Sequence, residues 1–131
     1  MDRETQEIIE EAFNAQKPMV ESIFEDVDID DVIDAAEEGD EDMQAMVGIA
    51  YLYGIQVRRN YDKAAKWLEK SARQGVAVAE YHLGLCYTAG MGVEQDLDEA
   101  IRWVRRSAKH GCADAVPFLI FLEAFYDLET I

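Results

Sequence analysis

The stretch GIAYLYGIQVRRNYDKAAKWLEKSARQGVA, residues 48–77, is written a second time as GLCYTAGMGVEQDLDEAIRWVRRSAKHGCA, residues 84–113, with no gap in the alignment. Gly48, Tyr51, Gly54, Val57, Asp62, Ala64, Trp67, Ser71, Ala72, Gly75 and Ala77 recur as Gly84, Tyr87, Gly90, Val93, Asp98, Ala100, Trp103, Ser107, Ala108, Gly111 and Ala113. Identities made mostly of Gly, Ala and aromatics at packing spacings mark an internal repeat, and the repeat decides the fold. Stacked helical repeats build surfaces rather than catalytic clefts.

Each unit reads as helix, loop, helix. The first helix is predicted over Met43 to Tyr53 and again over Ala79 to Ala89. Gly48 and Gly84 fall inside it, where glycine costs roughly 1 kcal/mol against Ala, so the spacing predicts close approach of a neighbouring helix. The loop Gly90-Met91-Gly92-Val93 supplies turn residues and an apolar plug. Asp96 is placed to cap the second helix with Glu99 completing a capping box, and Asn60 caps its counterpart. Ala64, Trp67, Leu68, Ser71 and Ala72 form one apolar stripe on that helix, and Gly75 and Gly111 stop the two copies.

The phrase Leu83-Gly84-x-x-Tyr87-x-x-Gly90-x-Gly92-Val93, followed by Asp98, Ala100, Trp103, the Ser107-Ala108 pair and Gly111, resembles the Sel-one-like repeat (SLR), a relative of the tetratricopeptide repeat. The first copy departs mildly, with Gln56 for Gly92 and Val47 for Leu83. Val32, Ala36 and Gly39 fall in register with Leu68, Ala72 and Gly75 as a preceding half unit. A following half unit has lost its motif at Ile120, Glu123 and Tyr126 and reads as a terminal helix from Asp114 to Glu129, with Pro117 in its first turn. The resemblance implies an all-α, right-handed α-solenoid of antiparallel helix pairs that works as a protein-interaction scaffold, and it brings no catalytic residues. The expected organisation is one folded domain: an acidic helical cap over residues 1–39, two SLR units over 40–113, and a capping helix over 114–131.

With 131 residues, half of them apolar, the chain can bury a core without metal or disulfide staples. The opening Met-Asp-Arg-Glu lacks the basic and apolar run of a signal peptide, and no stretch reaches membrane-spanning length, so a cytoplasmic address without membrane attachment is expected. Cys86 lies mid-helix and Cys112 beyond the end of the partner helix, about 12 Å apart along the axis by helical rise, which predicts two buried thiols rather than a disulfide.

The net charge of −16 is uneven: residues 1–56 hold 17 acids and 2 bases, residues 57–131 hold 11 acids and 10 bases. Such a concentrated anion repels nucleic acid and attracts a basic protein. Ile8, Ile9, Ala12 and Phe13 form one helical stripe in this arm, and Met19, Val20, Ile23 and Phe24 another after Pro18; both are expected to fold back over the first repeat. Asp26, Asp28, Asp30, Asp31, Asp34, Glu37 and Glu38 are the expected electrostatic site, and five of them, Asp26, Asp28, Asp30, Asp34 and Glu37, fall where a calcium loop has its acids. Asp31 stands where that loop needs glycine, and Gly39 would interrupt the following helix, so a helix from Asp28 or Asp30 with acids in its first turn is preferred.

Lys66, Lys70 and Arg73 align with Arg102, Arg106 and Lys109 as a basic row on the outer helices, read as a solvated face with pairing to the acidic arm as the alternative. His82 and His110 have no Cys or Glu partner at ligand spacing, and no nucleophile elbow, phosphate loop or zinc spacing occurs, so neither enzyme activity, metal nor cofactor is expected. If the first helices line the concave side, Ile49, Leu52, Tyr53, Tyr81, Leu85, Thr88, Phe121 and Phe125 form an apolar groove with an acidic border, suited to a basic amphipathic helix. The competing reading fills that groove with the N-terminal helices or with a second copy in a homodimer. The function expected is a non-catalytic binding module, in its most specific form an acidic inhibitor or immunity-type protein that neutralises a basic partner. A general peptide adaptor and a calcium-responsive protein are the alternatives.

Overall fold

The computed structural model describes residues 3–130 and, within them, all side chains except those of Thr5, Gln6, Ile9, Glu129 and Thr130. Eight helices follow one another among these residues: α1 (Arg3–Ala15), α2 (Lys17–Ser22), α3 (Ile29–Glu37), α4 (Glu41–Tyr53), α5 (Tyr61–Ala72), α6 (Ala77–Ala89), α7 (Leu97–Lys109) and α8 (Ala115–Thr130). From α3 onward each packs on its successor, so the chain is a stack of helix hairpins. Helices α4 and α6 are apolar nearly all round and buried, whereas α5 and α7 are amphipathic.

Glycine inside α4 and α6 allows this packing. A Cβ on Gly48 would lie 2.7 Å from Leu68 Cγ, and one on Gly84 would overlap Val104. Each pair is pinned at both ends by the same bonds. Ser71 Oγ donates to the Glu41 carbonyl at 2.8 Å, and Ser107 Oγ to the Ala77 carbonyl at 2.6 Å. The amides of Asn60 and Asp96 donate to the carbonyls of Tyr51 and Tyr87. These bonds account for the recurrence of Ser, which is fully buried in both copies.

Asn60 and Asp96 cap α5 and α7 by accepting the N3 amides of Lys63 and Glu99. The capping box expected at Asp96 is half made: Glu99 pairs forward with Arg102 at 2.8 Å, and the Asp96 amide serves the loop bond to Tyr87 instead. The inner helices begin two residues earlier than their apolar pattern, α4 because Asp40 caps it through Asp42 and Met43. Gly39, Gly75 and Gly111 all take positive φ after their helices, in keeping with the half-unit register. The loop plugs are Ile55 and Met91, both buried, rather than Val93, which is half-buried.

Gln56 is a larger departure than its sequence position implies. It holds φ +60, the one non-glycine in the left-handed region among the described residues. Its counterpart Gly92 sits so close to the Tyr61 carbonyl that a Cβ would overlap it. One unit earlier α3 begins only at Ile29, and the missing turn makes room for a side chain. Gln56 Nε2 donates to the carbonyls of Phe24 and Val27, and its Oε1 accepts the Ile29 amide at 3.2 Å. The left-handed strain of about 1 kcal/mol is offset by three bonds to the Phe24–Ile29 turn.

The arm does not bury its stripes as a whole. Phe13 and Phe24 are in the core, but Ile8, Met19 and Ile23 are exposed, Ala12 faces solvent, and Ile9 lies outside the described side chains. Only these two aromatics find deep sites; the short α2 has no buried residue. Asp28 caps α3 by accepting the Asp30 amide at 2.9 Å, with Asp30 and Asp31 in the first turn, so the acidic run is a helix start rather than a loop.

One buried register position differs chemically between units. In the first, Gln44 and Gln74 join through amides at 2.7 Å. In the second, the fully buried Glu80 carboxylate accepts from His110 Nδ1 at 2.6 Å and Arg106 Nε at 3.1 Å. His110 therefore does have a carboxylate partner, which its 30-residue separation from Glu80 hides in the sequence.

Gly84→Ala is expected to destabilise the fold by about 1–3 kcal/mol in urea unfolding, whereas Ala on an open helix would stabilise it, because the added methyl displaces Val104. Val104→Ala in the same background should cost less than the sum of the two single changes. Glu80→Gln alone is expected to cost about 1–2 kcal/mol, discounted for the half-exposed cations, and Glu80→Gln with His110→Gln should recover part of it by rebuilding the amide pair of the first unit.

Candidate partner-binding surface

Helix α1 crosses the inner helices and places Phe13 against Tyr53, ring centroids 4.1 Å apart and nearly parallel. From there rings continue across two further helices, α6 and α8. Tyr53 meets His82 edge-on at 6.0 Å, His82 meets Tyr81 at 5.3 Å, and Tyr81 meets Phe118 at 5.9 Å. Phe118, Phe121 and Phe125 then stack along α8 at 6.1 Å intervals. The row runs from the core to the surface: Tyr53 is fully buried, Phe121 is 46% exposed and Phe125 is half-buried.

This arrangement corrects the expected groove. Ile49, Leu52, Tyr53, Leu85 and Thr88 are buried rather than set along an open concave face, and Leu85 alone of the five borders an apolar cavity beside α1. Phe13 seals Tyr53, and Thr88 turns its hydroxyl back to the Gly84 carbonyl at 2.8 Å. Tyr81 and Phe125 are half-buried and Phe121 is exposed; Tyr81 and Phe121 border the same cavity, of about 270 Å³, with Phe13, Met91 and Phe118. The sequence reading overlooked Phe118 and Met91. Phe118 stands at the register of His82, a signal visible only once α8 is aligned with α6.

Around this row α8 leaves Val116, Ile120, Phe121 and Leu128 uncovered. Ile120 occupies the register of Gly84, and its bulk prevents a second helix from packing as α7 does on α6. The seven acids Asp26, Asp28, Asp30, Asp31, Asp34, Glu37 and Glu38 are all exposed on the N-terminal side of the stack.

The chemistry available is that of a contact surface. Burial pushes the Cys86 thiol up to about 12, which keeps it protonated, and Cys112 is half-buried rather than buried. Burial also raises the Tyr53 phenol and lowers His82. His82 Nδ1 donates to the Val78 carbonyl at 2.9 Å, leaving Nε2 to accept from the Tyr53 hydroxyl at 3.5 Å. Among the described residues no three His, Cys, Asp or Glu groups are placed to hold a metal ion, and no helix is long and apolar enough to cross a membrane.

His82 makes stability depend on pH. Its folded pKa lies below its unfolded value, so the unfolded chain takes up the proton first. The stabilisation is complete above about pH 6.5 and is lost as pH falls toward the folded pKa, by at most about 1.4 kcal/mol per unit. Urea unfolding at several pH values should show wild type losing stability relative to His82→Gln below about pH 6.5, with a constant difference above it.

Comparison with known proteins fits this geometry. The Sel1 repeat family matches residues 42–76 and 77–112, more than half of the chain. A crystal structure of a Sel1 repeat protein from Oxalobacter formigenes is 36% identical with a TM-score of 0.67, the match covering 70% of this chain and 26% of that one. A protective antigen present in uropathogenic Escherichia coli strains, displaying an SLR fold, shares 23% identity at a TM-score of 0.61 over 86% of this chain and 29% of its own, a likeness of fold alone. This chain thus spans less than a third of the length of either structure. No curated protein shows significant similarity to it. Sel1 repeats are protein-interaction modules, typically non-catalytic. With two matched repeats forming consecutive helix hairpins, the chain belongs to the Sel1 repeat family.

Proposed function

We propose that this chain is a binding module that takes a basic, amphipathic helix of a protein partner onto the exposed end of the aromatic row. The observation that carries the reading is the uncovered apolar face of α8, where Ile120, Phe121 and Leu128 stand in solvent beside a protein of net charge −16. Contiguous apolar surface of this kind marks interaction sites, and aromatics concentrate interface energy. The acidic helices supply steering: a basic partner is drawn in faster at low salt, and the apolar contacts then hold it. An acidic inhibitor or immunity-type protein that neutralises a basic partner is the specific form of this reading. The localised negative charge of residues 1–56 favours it over a general peptide adaptor, which has no need of such a field.

The test uses a Lys- and Leu-rich amphipathic helix as ligand, followed by calorimetry. Phe121→Ala with Phe125→Ala should weaken binding by about 30-fold or more, equivalent to roughly 2 kcal/mol at a hot spot. Asp30→Asn, Asp34→Asn and Glu37→Gln together should slow association and flatten its salt dependence while leaving dissociation nearly unchanged. Equal affinity of wild type and the double Phe variant would remove α8 as the site.

A further inference from the structure

The outer helices carry one surface row three times. Asp30, Asp34 and Glu37 of α3 stand at the register of Lys66, Lys70 and Arg73 on α5, and of Arg102, Arg106 and Lys109 on α7. All nine residues are exposed. The chain's two tryptophans, Trp67 and Trp103, lie half-buried in the basic rows. Lys70 Nζ sits 4.7 Å over the Trp67 ring and the Arg106 guanidinium 4.9 Å over Trp103. Each ring lines a surface hollow, of about 510 Å³ on α5 and 390 Å³ on α7. Within the chain the acidic and basic rows do not meet. Arg73 pairs with Glu69 and Arg102 with Glu99 on their own helices, while Lys66 and the carboxylates of Asp30, Asp34 and Glu37 join no ion pair among the described residues.

We propose that the outer surface is a self-recognition site, in which the acidic row of α3 docks along the basic row of α5 beside Trp67 on a second copy, and reciprocally. The complementarity is positional. Because α4 reverses the chain between them, α3 and α5 run in the same direction. A two-fold axis parallel to both helices, lying outside the surface opposite the midline between them, sets the outer face of α3 of one copy against the outer face of α5 of the other with directions preserved. The rows share the same 4 and 3 spacing, so Asp30 faces Lys66, Asp34 faces Lys70 and Glu37 faces Arg73, twice over. The contact is isologous and closes as a dimer. Exposed ion pairs are individually weak, so the dimer forms at high protein concentration. Long-range repulsion between two copies of charge −16 opposes it at low salt, where the Debye length reaches about 30 Å, and ion-pair screening opposes it at about 1 M, so association peaks near about 0.15 M. Both readings draw on the acidic row but only the partner reading uses the face on α8, so Phe121→Ala with Phe125→Ala, which should leave the dimer unchanged, tells them apart.

Sedimentation of the full chain, from about 10 μM to about 1 mM, tests it. The expected result is a mass rising from 14.9 kDa toward twice that value at about 0.15 M salt and returning to monomer at about 1 M. Tryptophan emission should change with concentration in wild type and Trp103→Phe but not in Trp67→Phe. Asp30→Lys with Asp34→Lys and Glu37→Lys should be monomeric, as should Lys66→Glu with Lys70→Glu and Arg73→Glu. An equimolar mixture of these two triple variants should regain a heterodimer, since each then presents two rows of one sign. A chain monomeric at every concentration overturns the proposal. So does a dimer insensitive to salt and to both triple variants, which would place the contact on α8, and so does a mixture that stays monomeric.

Discussion

The approach of α4 to α5 and of α6 to α7 over a side chain that is missing is the constraint on which the rest depends. Gly48 and Gly84 let Leu68 and Val104 rest against bare backbone. At that separation the Ser71 and Ser107 hydroxyls reach the first carbonyls of the facing helices, and the loop amides of Asn60 and Asp96 reach the carbonyls of Tyr51 and Tyr87. Moving the helices apart by the width of a methyl group would stretch these buried bonds together, which is costly because their alternatives are unpaired polar groups. Glycine, serine and the capping residue therefore act as one device. The device is absent from α8, where Ile120 replaces the glycine and stands exposed.

How much of this was legible in the sequence follows from the same device. Whatever recurs was readable: the helix pairs, their glycine stops, the Asn60 and Asp96 caps, and the half unit before Gly39. What does not recur was hidden. Phe13 finds Tyr53 across 40 residues with no second copy to reveal the pairing, so the periodicity of the stripe suggested N-terminal helices over the groove only as a competing reading and did not name the contact. Gln56 looked like a mild exchange because its value lies in the Phe24–Ile29 turn, where α3 is a turn shorter than its counterparts. Periodicity identified the apolar side of α4 and α6. It could not distinguish a side that faces solvent from one covered by a helix outside the repeat.

The buried position shared by Gln44 and Glu80 separates what the fold requires from what it tolerates. The stack requires a hydrogen-bonded partner across the helix pair there, since neither side chain can reach water. An amide pair meets that need in one unit, and a carboxylate held by His110 and Arg106 meets it in the next. Recruiting Arg106 leaves its guanidinium spanning Glu80 and the face of Trp103, so the second unit's outer surface is tied to its core in a way the first unit's is not. Lys70, at the same register, has only Trp67 beneath it.

Apart from Arg106, which reaches Glu80 of α6, the outer-row positions are free of both requirements. Their sign can change from unit to unit without disturbing the glycine contacts, and it does, from acidic on α3 to basic on α5 and α7. A repeat protein therefore has two nearly independent layers of information. The inner register sets spacing and must recur. The outer register sets charge order along the stack, and a polar order of this kind makes the surface directional: a ligand carrying the opposite order binds in one alignment and is repelled when shifted by one unit. Recognition on that side is governed by where a row lies in the stack, more than by the overall charge of −16.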